Sequence, residues 1–250
     1  MAKRQSALEA FELNIADAYF LADLAGSLTN QRVNRMRKEL RVAVGDTLRI
    51  GKTQRDELDC IESHDFFVVL KPETTLDRHR LKDVRPLLRQ AIVAGSAAFE
   101  TYVADRVMEL LGPVLRQRPL PSRLAEISMT VEQYYDIEAR YQRRGWGVRE
   151  LVSVAVTERA SPSPTQVGMA FAIVNEKKLL QRVDSELRQA KGTAHNHLER
   201  LYARRNAIAH TGDRVGRGRA DIDRAEVKGD LDQLCRVAQA IDSVTPARTA

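Results

Sequence analysis

Three side chains near the end of one predicted helix could together move protons and stabilise a developing negative charge. They are Arg205, Asn206 and His210, within the segment RRNAIAHTG that covers residues 204–212. Cleavage of RNA by its own 2′-hydroxyl needs a proton-transfer group, a fixed positive charge for the phosphorane oxygens and a group that holds the geometry. His210, Arg205 and Asn206 match these three roles in that order.

The spacing of the three residues sets a condition on the helix that carries them. Asn206 and His210 are four residues apart and share one helix face, whereas Arg205 lies about 140° away from His210 on an ideal helix. Arg205 can join the other two only if the helix ends near His210. Thr211-Gly212 predicts that end, because glycine is favoured directly after a helix C-terminus.

The acidic residues near this motif do not have the spacing of metal ligands, so the sequence predicts cleavage without a metal ion or another cofactor. Such a reaction leaves a 2′,3′-cyclic phosphate, and DNA, which lacks the nucleophile, should not be cut. The two cysteines, Cys60 and Cys235, have neither CxxC nor Cys/His spacing. They therefore indicate neither a disulfide framework nor a zinc site.

The motif resembles the signature of the HEPN superfamily, an Arg separated from a His by four to six residues, usually with a polar residue directly after the Arg. The resemblance extends from about residue 80 to 245 and is strongest to the HEPN subfamily associated with RiboL-PSP proteins. It includes Glu100, an acidic residue in the apolar stretch AAFETYV of an earlier helix. It implies an endoribonuclease in which two protomers pair and both motifs line one composite cleft, with Glu100 facing that cleft.

The resemblance also implies a biological role, that of a toxin or a phage-defence effector restrained by an antitoxin or another regulatory partner. Some HEPN toxins carry, two positions after the motif His, a tyrosine that a partner nucleotidyltransferase modifies. Here that position is Gly212. We therefore do not expect control by that route.

Four arginines around the motif could follow an RNA backbone, and the formal net charge of +6 suits a polyanionic partner. They are Arg204, Arg214, Arg217 and Arg219. A solvated basic loop would have the same composition. Glu100 could likewise be half of an interior ion pair, and His210 a helix-terminal cap.

Two other function classes fit parts of the sequence. One is a HEPN fold that binds RNA or dimerises without catalysis, although Arg205 and His210 are both intact. The other is a helical DNA-binding protein that uses the arginine-rich segment at residues 31–41, where no helix-turn-helix spacing is evident.

Amphipathic helices must position these residues, and they predict an all-α, up-and-down, HEPN-type four-helix bundle with an N-terminal helical extension. Glycine, proline and capping residues give the boundaries. The predicted helices run from the Ser6 capping box to Gly26, from Thr29 to Gly45, from Pro86 to Gly112, over 130–144, 166–188 and 194–209, and from Val227 to the residues before Thr245. We expect loops at 113–128, 160–165 and 211–221, and a turn at residues 145–147.

The predicted domain boundary lies in a linker at residues 71–75, after the segment FFVVL at 66–70 that periodicity cannot assign. It separates an N-terminal helical hairpin, residues 1–75, from the HEPN bundle, residues 76–250. No apolar run approaches the ~20 residues that span a bilayer, and the N-terminus lacks the apolar core of a secretory signal. We therefore expect a cytoplasmic protein.

Overall fold

The computed structural model describes residues 5–29, 83–141, 144–157 and 161–246, with a few isolated positions between 42 and 51. Within these residues the protein is predominantly helical, with nine helices and one two-stranded sheet. The all-α prediction is confirmed at this level. The second predicted helix, from Thr29 to Gly45, lies almost entirely outside the described residues. The segment FFVVL and the predicted linker at 71–75 lie outside them as well.

The elements follow the chain in a simple order. The helices are α1 (Ala7–Thr29), α2 (Arg85–Val114), α3 (Ser122–Ala125), α4 (Val131–Arg140), α5 (Arg144–Thr157), α6 (Pro164–Ile173), α7 (Leu179–Glu186), α8 (Thr193–Thr211) and α9 (Arg224–Val244). The strands β1 (Arg214–Val215) and β2 (Gly218–Arg219) form an antiparallel hairpin between α8 and α9.

Helix α1 begins at the predicted capping box. The Glu9 amide donates to Ser6 Oγ at 3.2 Å, and the Ser6 amide donates to Glu9 Oε2 at 2.8 Å. The predicted stop at Gly26 is wrong, because α1 continues to Thr29. A Cβ at Gly26 would lie 2.5 Å from Nε of Arg224, so this glycine lets α9 approach α1 closely and does not end the helix.

The core joins α1 to the central helix α2 and to α9. Phe11 of α1 packs against Phe99 and Tyr102 of α2, with ring centroids 6.4 Å and 5.4 Å apart. The hydroxyl of Tyr102 donates to the backbone carbonyl of Ala238 in α9 at 2.8 Å. Helix α1 is therefore part of the same core as the helices that follow. Helix α8 also packs against α2, and this places Arg205 of the motif next to Glu100.

One predicted helix is in fact two. The segment 166–188 divides into α6 and α7, and both Asn175 (φ 63°) and Lys178 (φ 53°) between them adopt left-handed backbone conformations. No glycine or proline marks this break in the sequence. Asparagine tolerates the left-handed region better than most residues, but lysine has no such preference.

The predicted turn at residues 145–147 is also wrong, because these residues belong to α5. A Cβ at Gly147 would lie 2.2 Å from Cγ2 of Ile137, so this glycine allows α4 to pack directly on α5. The expected loop at 113–128 contains the short helix α3, and the expected loop at 211–221 contains the β1–β2 hairpin. Within the described ranges, no helix has the length and apolar character needed to cross a membrane.

Candidate active site

Helix α8 ends where the sequence predicts, one residue after His210. Gly212 has φ 61°, and its amide donates to the carbonyl of Ile208 at 3.2 Å. Asp213 is also left-handed, with φ 64°, and its amide donates to the carbonyl of Ala207 at 2.8 Å. These two bonds satisfy carbonyls of the last turn and direct the chain away from the helix.

Three of the predicted site residues meet around one guanidinium group. Nη1 of Arg205 donates to Oδ1 of Asn206 at 3.0 Å, and Nη2 lies 3.4 Å from Oε1 of Glu100. Glu100 stands on α2 and Arg205 on α8, so the contact joins two helices that are distant in sequence. The side chains of Arg205 and Glu100 are 28% and 22% exposed, which leaves part of the guanidinium open to a ligand.

Burial raises the pKa of Glu100, and the charge of Arg205 opposes that shift. Burial is the larger of the two effects. The raised pKa means that this carboxyl accepts a proton more readily than an exposed glutamate does. Glu100 and Asn206 contact only part of the guanidinium, so its exposed part can still meet an anion.

His210 lies apart from this group within one chain. It occupies the last turn of α8 and is exposed. Since the helix includes His210, an ideal geometry sets it about 140° around the axis and about 7.5 Å along it from Arg205. In the part of the chain that the structure describes, no hydrogen bond or ion pair joins His210 to Glu100, Arg205 or Asn206.

Three of the four candidate RNA-binding arginines are free at the surface. Arg214, Arg217 and Arg219 are exposed in the hairpin that follows α8. Arg204 is already engaged: its Nη2 donates to Oδ2 of Asp213 at 2.9 Å and to the carbonyl of Asp221 at 2.7 Å. Arg204, on α8, therefore binds the loop that follows the helix and is not free to contact RNA in the way that the three exposed arginines are.

Asp213 and Arg89 form a buried ion pair that the sequence did not reveal. Nε of Arg89 donates to Oδ2 of Asp213 at 2.9 Å, and Nη2 donates to the carbonyl of Ala220 at 2.7 Å. The side chains of Arg89 and Asp213 are only 5% and 3% exposed. An aspartate after a helix-ending glycine is a weak signal, and nothing in the sequence points to Arg89, which lies 124 positions earlier.

Among the described residues, no group of three or more His, Cys, Asp or Glu side chains is arranged to hold a metal ion. The charged groups that meet at the motif are a guanidinium and a carboxylate. No protein-family model, curated protein or solved structure matches the chain.

Proposed function

We propose that the chain is a metal-independent endoribonuclease of the HEPN type. The observation that carries the proposal is the contact of Arg205 with both Glu100 and Asn206. The family resemblance related Glu100 to the motif on sequence grounds alone, and a contact between α2 and α8 at that residue supports it. A partly exposed arginine held from two directions is well suited to bind a phosphate group in a fixed orientation.

The reaction divides among the residues as follows. The 2′-oxygen of one nucleotide attacks the adjacent phosphorus, the bond to the 5′-oxygen breaks, and the products carry a 2′,3′-cyclic phosphate and a 5′-hydroxyl. One proton leaves the 2′-hydroxyl and another is delivered to the 5′-oxygen. His210 moves protons, and Arg205 stabilises the charge that develops on the phosphorane oxygens. Asn206 holds the guanidinium in position.

A homodimer would let Arg205 and His210 act together although they lie on different helix faces within one chain. A two-fold axis beside the C-terminal half of α8 would bring His210 of one copy towards Arg205 of the other. The composite cleft would then hold two histidines for two proton transfers and two guanidinium groups for the phosphorane. A single chain offers one histidine, set on a different helix face from its own Arg205.

The biological setting follows from the resemblance alone. An enzyme that cuts cellular RNA must be restrained, which fits a cytoplasmic toxin or phage-defence effector held by an antitoxin or another regulatory partner. The N-terminal region is the natural candidate for a sensor, since α1 packs directly on the helix that carries Glu100.

A second candidate is a HEPN-like module that binds RNA without cutting it. The exposed arginines of the hairpin favour binding, and the Glu100 contact occupies part of the guanidinium that catalysis would use. The two candidates differ in whether His210 matters. Binding without catalysis has no use for a proton-transfer group at that position.

The test compares His210→Ala with a matched variant, His195→Ala. Both histidines are exposed on α8, but His195 lies in its first turn. With excess chelator, wild type and His195→Ala should cleave a fluorophore-labelled RNA and leave cyclic phosphate ends detectable by mass spectrometry, whereas His210→Ala should be inactive and normally folded by circular dichroism. Cleavage by His210→Ala at the wild-type rate would refute the assignment. Dependence on added divalent ion would indicate a metal nuclease.

A further inference from the structure

The hairpin after α8 places two arginines directly opposite each other. Strands β1 and β2 are joined by the two-residue turn Gly216-Arg217, and Gly216 has φ 56°, as expected at the first position of a type II′ turn. Arg214 is the cross-strand partner of Arg219. Their side chains therefore lie on the same face of the ribbon.

The hydrogen-bonding pattern makes this pair a close one. The amide of Ala220 donates to the carbonyl of Asp213 at 2.8 Å, so these two residues occupy a hydrogen-bonded position of the ladder, although the amide of Asp213 donates to Ala207 instead of to Ala220. Hydrogen-bonded and non-hydrogen-bonded pairs alternate along an antiparallel ladder, and Arg214 and Arg219 are the next pair outwards. They thus form a non-hydrogen-bonded pair, in which Cα atoms are only about 4.5 Å apart and side chains lie closest.

Two like charges opposite each other destabilise a hairpin, and nothing in the described structure compensates for this pair. Among the described residues, no carboxylate lies within ion-pair distance of Arg214 or Arg219. The nearest acidic residue in sequence, Asp213, is buried, and its carboxylate accepts hydrogen bonds from Arg89 and Arg204. Its charge is already neutralised by those two partners.

The hairpin is nevertheless firmly fixed at its base. Arg89 binds Asp213 and the carbonyl of Ala220, which are the two residues that close the hairpin. Arg204 binds the same carboxylate and the carbonyl of Asp221. Two arginines from α2 and α8 thus hold the ends of a short ribbon whose own six residues are all exposed. Such an anchored ribbon presents its charges in a fixed place.

We propose that Arg214 and Arg219 bind one backbone phosphate of RNA between them, and that Asp213 is the positioning residue for this pair. A phosphate supplies the negative charge that the hairpin lacks, and two guanidinium groups can donate to its oxygens together. The choice of RNA rests on the proposed function. Arg214 stands four residues after His210 and Arg219 is its cross-strand partner, so the pair would hold the strand beside the candidate cleft. Arg217 lies in the turn and adds only general positive charge.

The test is a double-mutant cycle on RNA binding. A labelled single-stranded RNA is titrated by fluorescence anisotropy against His210→Ala protein carrying Arg214→Ala, Arg219→Ala or both. Each single change should weaken binding roughly tenfold and lower the salt slope by about one, and the double change should do little more, because the same phosphate contact is lost. Arg116→Ala, which removes an exposed arginine beyond the end of α2, is the control and should have little effect.

Additive losses with a slope lower by about two would mean two separate phosphates and would overturn the proposal, as would losses no larger than that of Arg116→Ala. The binding experiment and the cleavage experiment can fail independently of each other. Coupled losses in a chain that never cleaves RNA would leave this inference standing and remove the enzyme assignment. Cleavage dependent on His210, together with unchanged binding in the arginine variants, would do the reverse.

The role of Asp213 has its own test, in which the direction of the change in RNA affinity distinguishes a positioning role from a general electrostatic effect. Removing a carboxylate near a polyanion should tighten binding if only overall charge matters. Asp213→Asn should instead weaken it, because the hairpin loses its anchor. Asp221→Asn removes the same charge from a side chain that is 94% exposed and should leave binding unchanged or tighter. Tighter binding by folded Asp213→Asn would overturn the positioning role, and if that variant does not fold, the arginine cycle decides the proposal.

Discussion

Asp213→Asn should be among the most destabilising conservative changes in the chain. The wild-type carboxylate is 3% exposed and accepts from Arg89 and Arg204 at 2.9 Å each. The variant leaves Arg89 as a buried charge without its counter-ion, and breaking a buried pair in this way costs about 3–5 kcal/mol. Asparagine tolerates the left-handed conformation at φ 64° and can still accept one hydrogen bond, so the lower limit, about 3 kcal/mol, is the expected loss.

The measurement is the free energy of unfolding from urea denaturation, followed by circular dichroism, with Asp221→Asn as the matched control. For a chain of this size the expected loss corresponds to a Tm lower by about 6–12 °C. Asp221, whose one ion-pair contact among the described residues is a 4.0 Å approach to Arg85, should change stability by less than about 0.5 kcal/mol when it is replaced by Asn. A loss below about 1 kcal/mol for Asp213→Asn would show that water or rearrangement compensates Arg89, and the anchoring argument would fail.

Three further predictions concern the candidate site. Arg205→Lys should reduce cleavage nearly as much as Arg205→Ala, because an ammonium group cannot replace the planar fork; full activity of the lysine variant would reduce Arg205 to a source of bulk charge. Burial raises the pKa of Glu100 above that of an exposed glutamate, so the folded protein binds this proton more tightly, and the stability that it contributes at low pH is lost as pH rises through the folded pKa. The stability of Glu100→Gln relative to wild type, measured by urea denaturation, should therefore increase as pH rises above about 4.3, and a pH-independent difference would contradict this. Mixing His210→Ala protomers with wild type should lower activity more steeply than dilution, whereas a proportional loss with confirmed subunit exchange would exclude a composite cleft.

Local sequence signals predicted much of the helical framework. The capping box at Ser6 and Glu9 begins α1, apolar periodicity places α2 and α9, and Gly212 ends α8 directly after the motif. Each of these signals acts within a few residues of itself. The interpretation of the motif required α8 to end near His210, and it does. Because His210 is still within the helix, however, Arg205 and His210 lie on different helix faces in one chain.

The sequence could not predict features that depend on a distant partner. Gly26 and Gly147 looked like a stop and a turn, but each one makes room for a side chain of another helix, Arg224 and Ile137 respectively. The break between α6 and α7 has no glycine or proline to announce it. The pairing of Arg89 with Asp213 requires the folded packing of α2 against α8, and Glu100 was related to Arg205 only through a family resemblance.

The closure of the hairpin at its base has a consequence for how this region could change over time. Within the part of the chain that the structure describes, the arginine hydrogen bonds that fix it are made to the carboxylate of Asp213 and to the carbonyls of Ala220 and Asp221, and none is made to residues 214–219. Those six residues can therefore be exchanged, shortened or lengthened without disturbing the helix that carries His210. Because Asp213, Ala220 and Asp221 hold the ends of the hairpin, residues 214–219 can be replaced by a segment with different ligand preferences while the core and the motif stay unchanged.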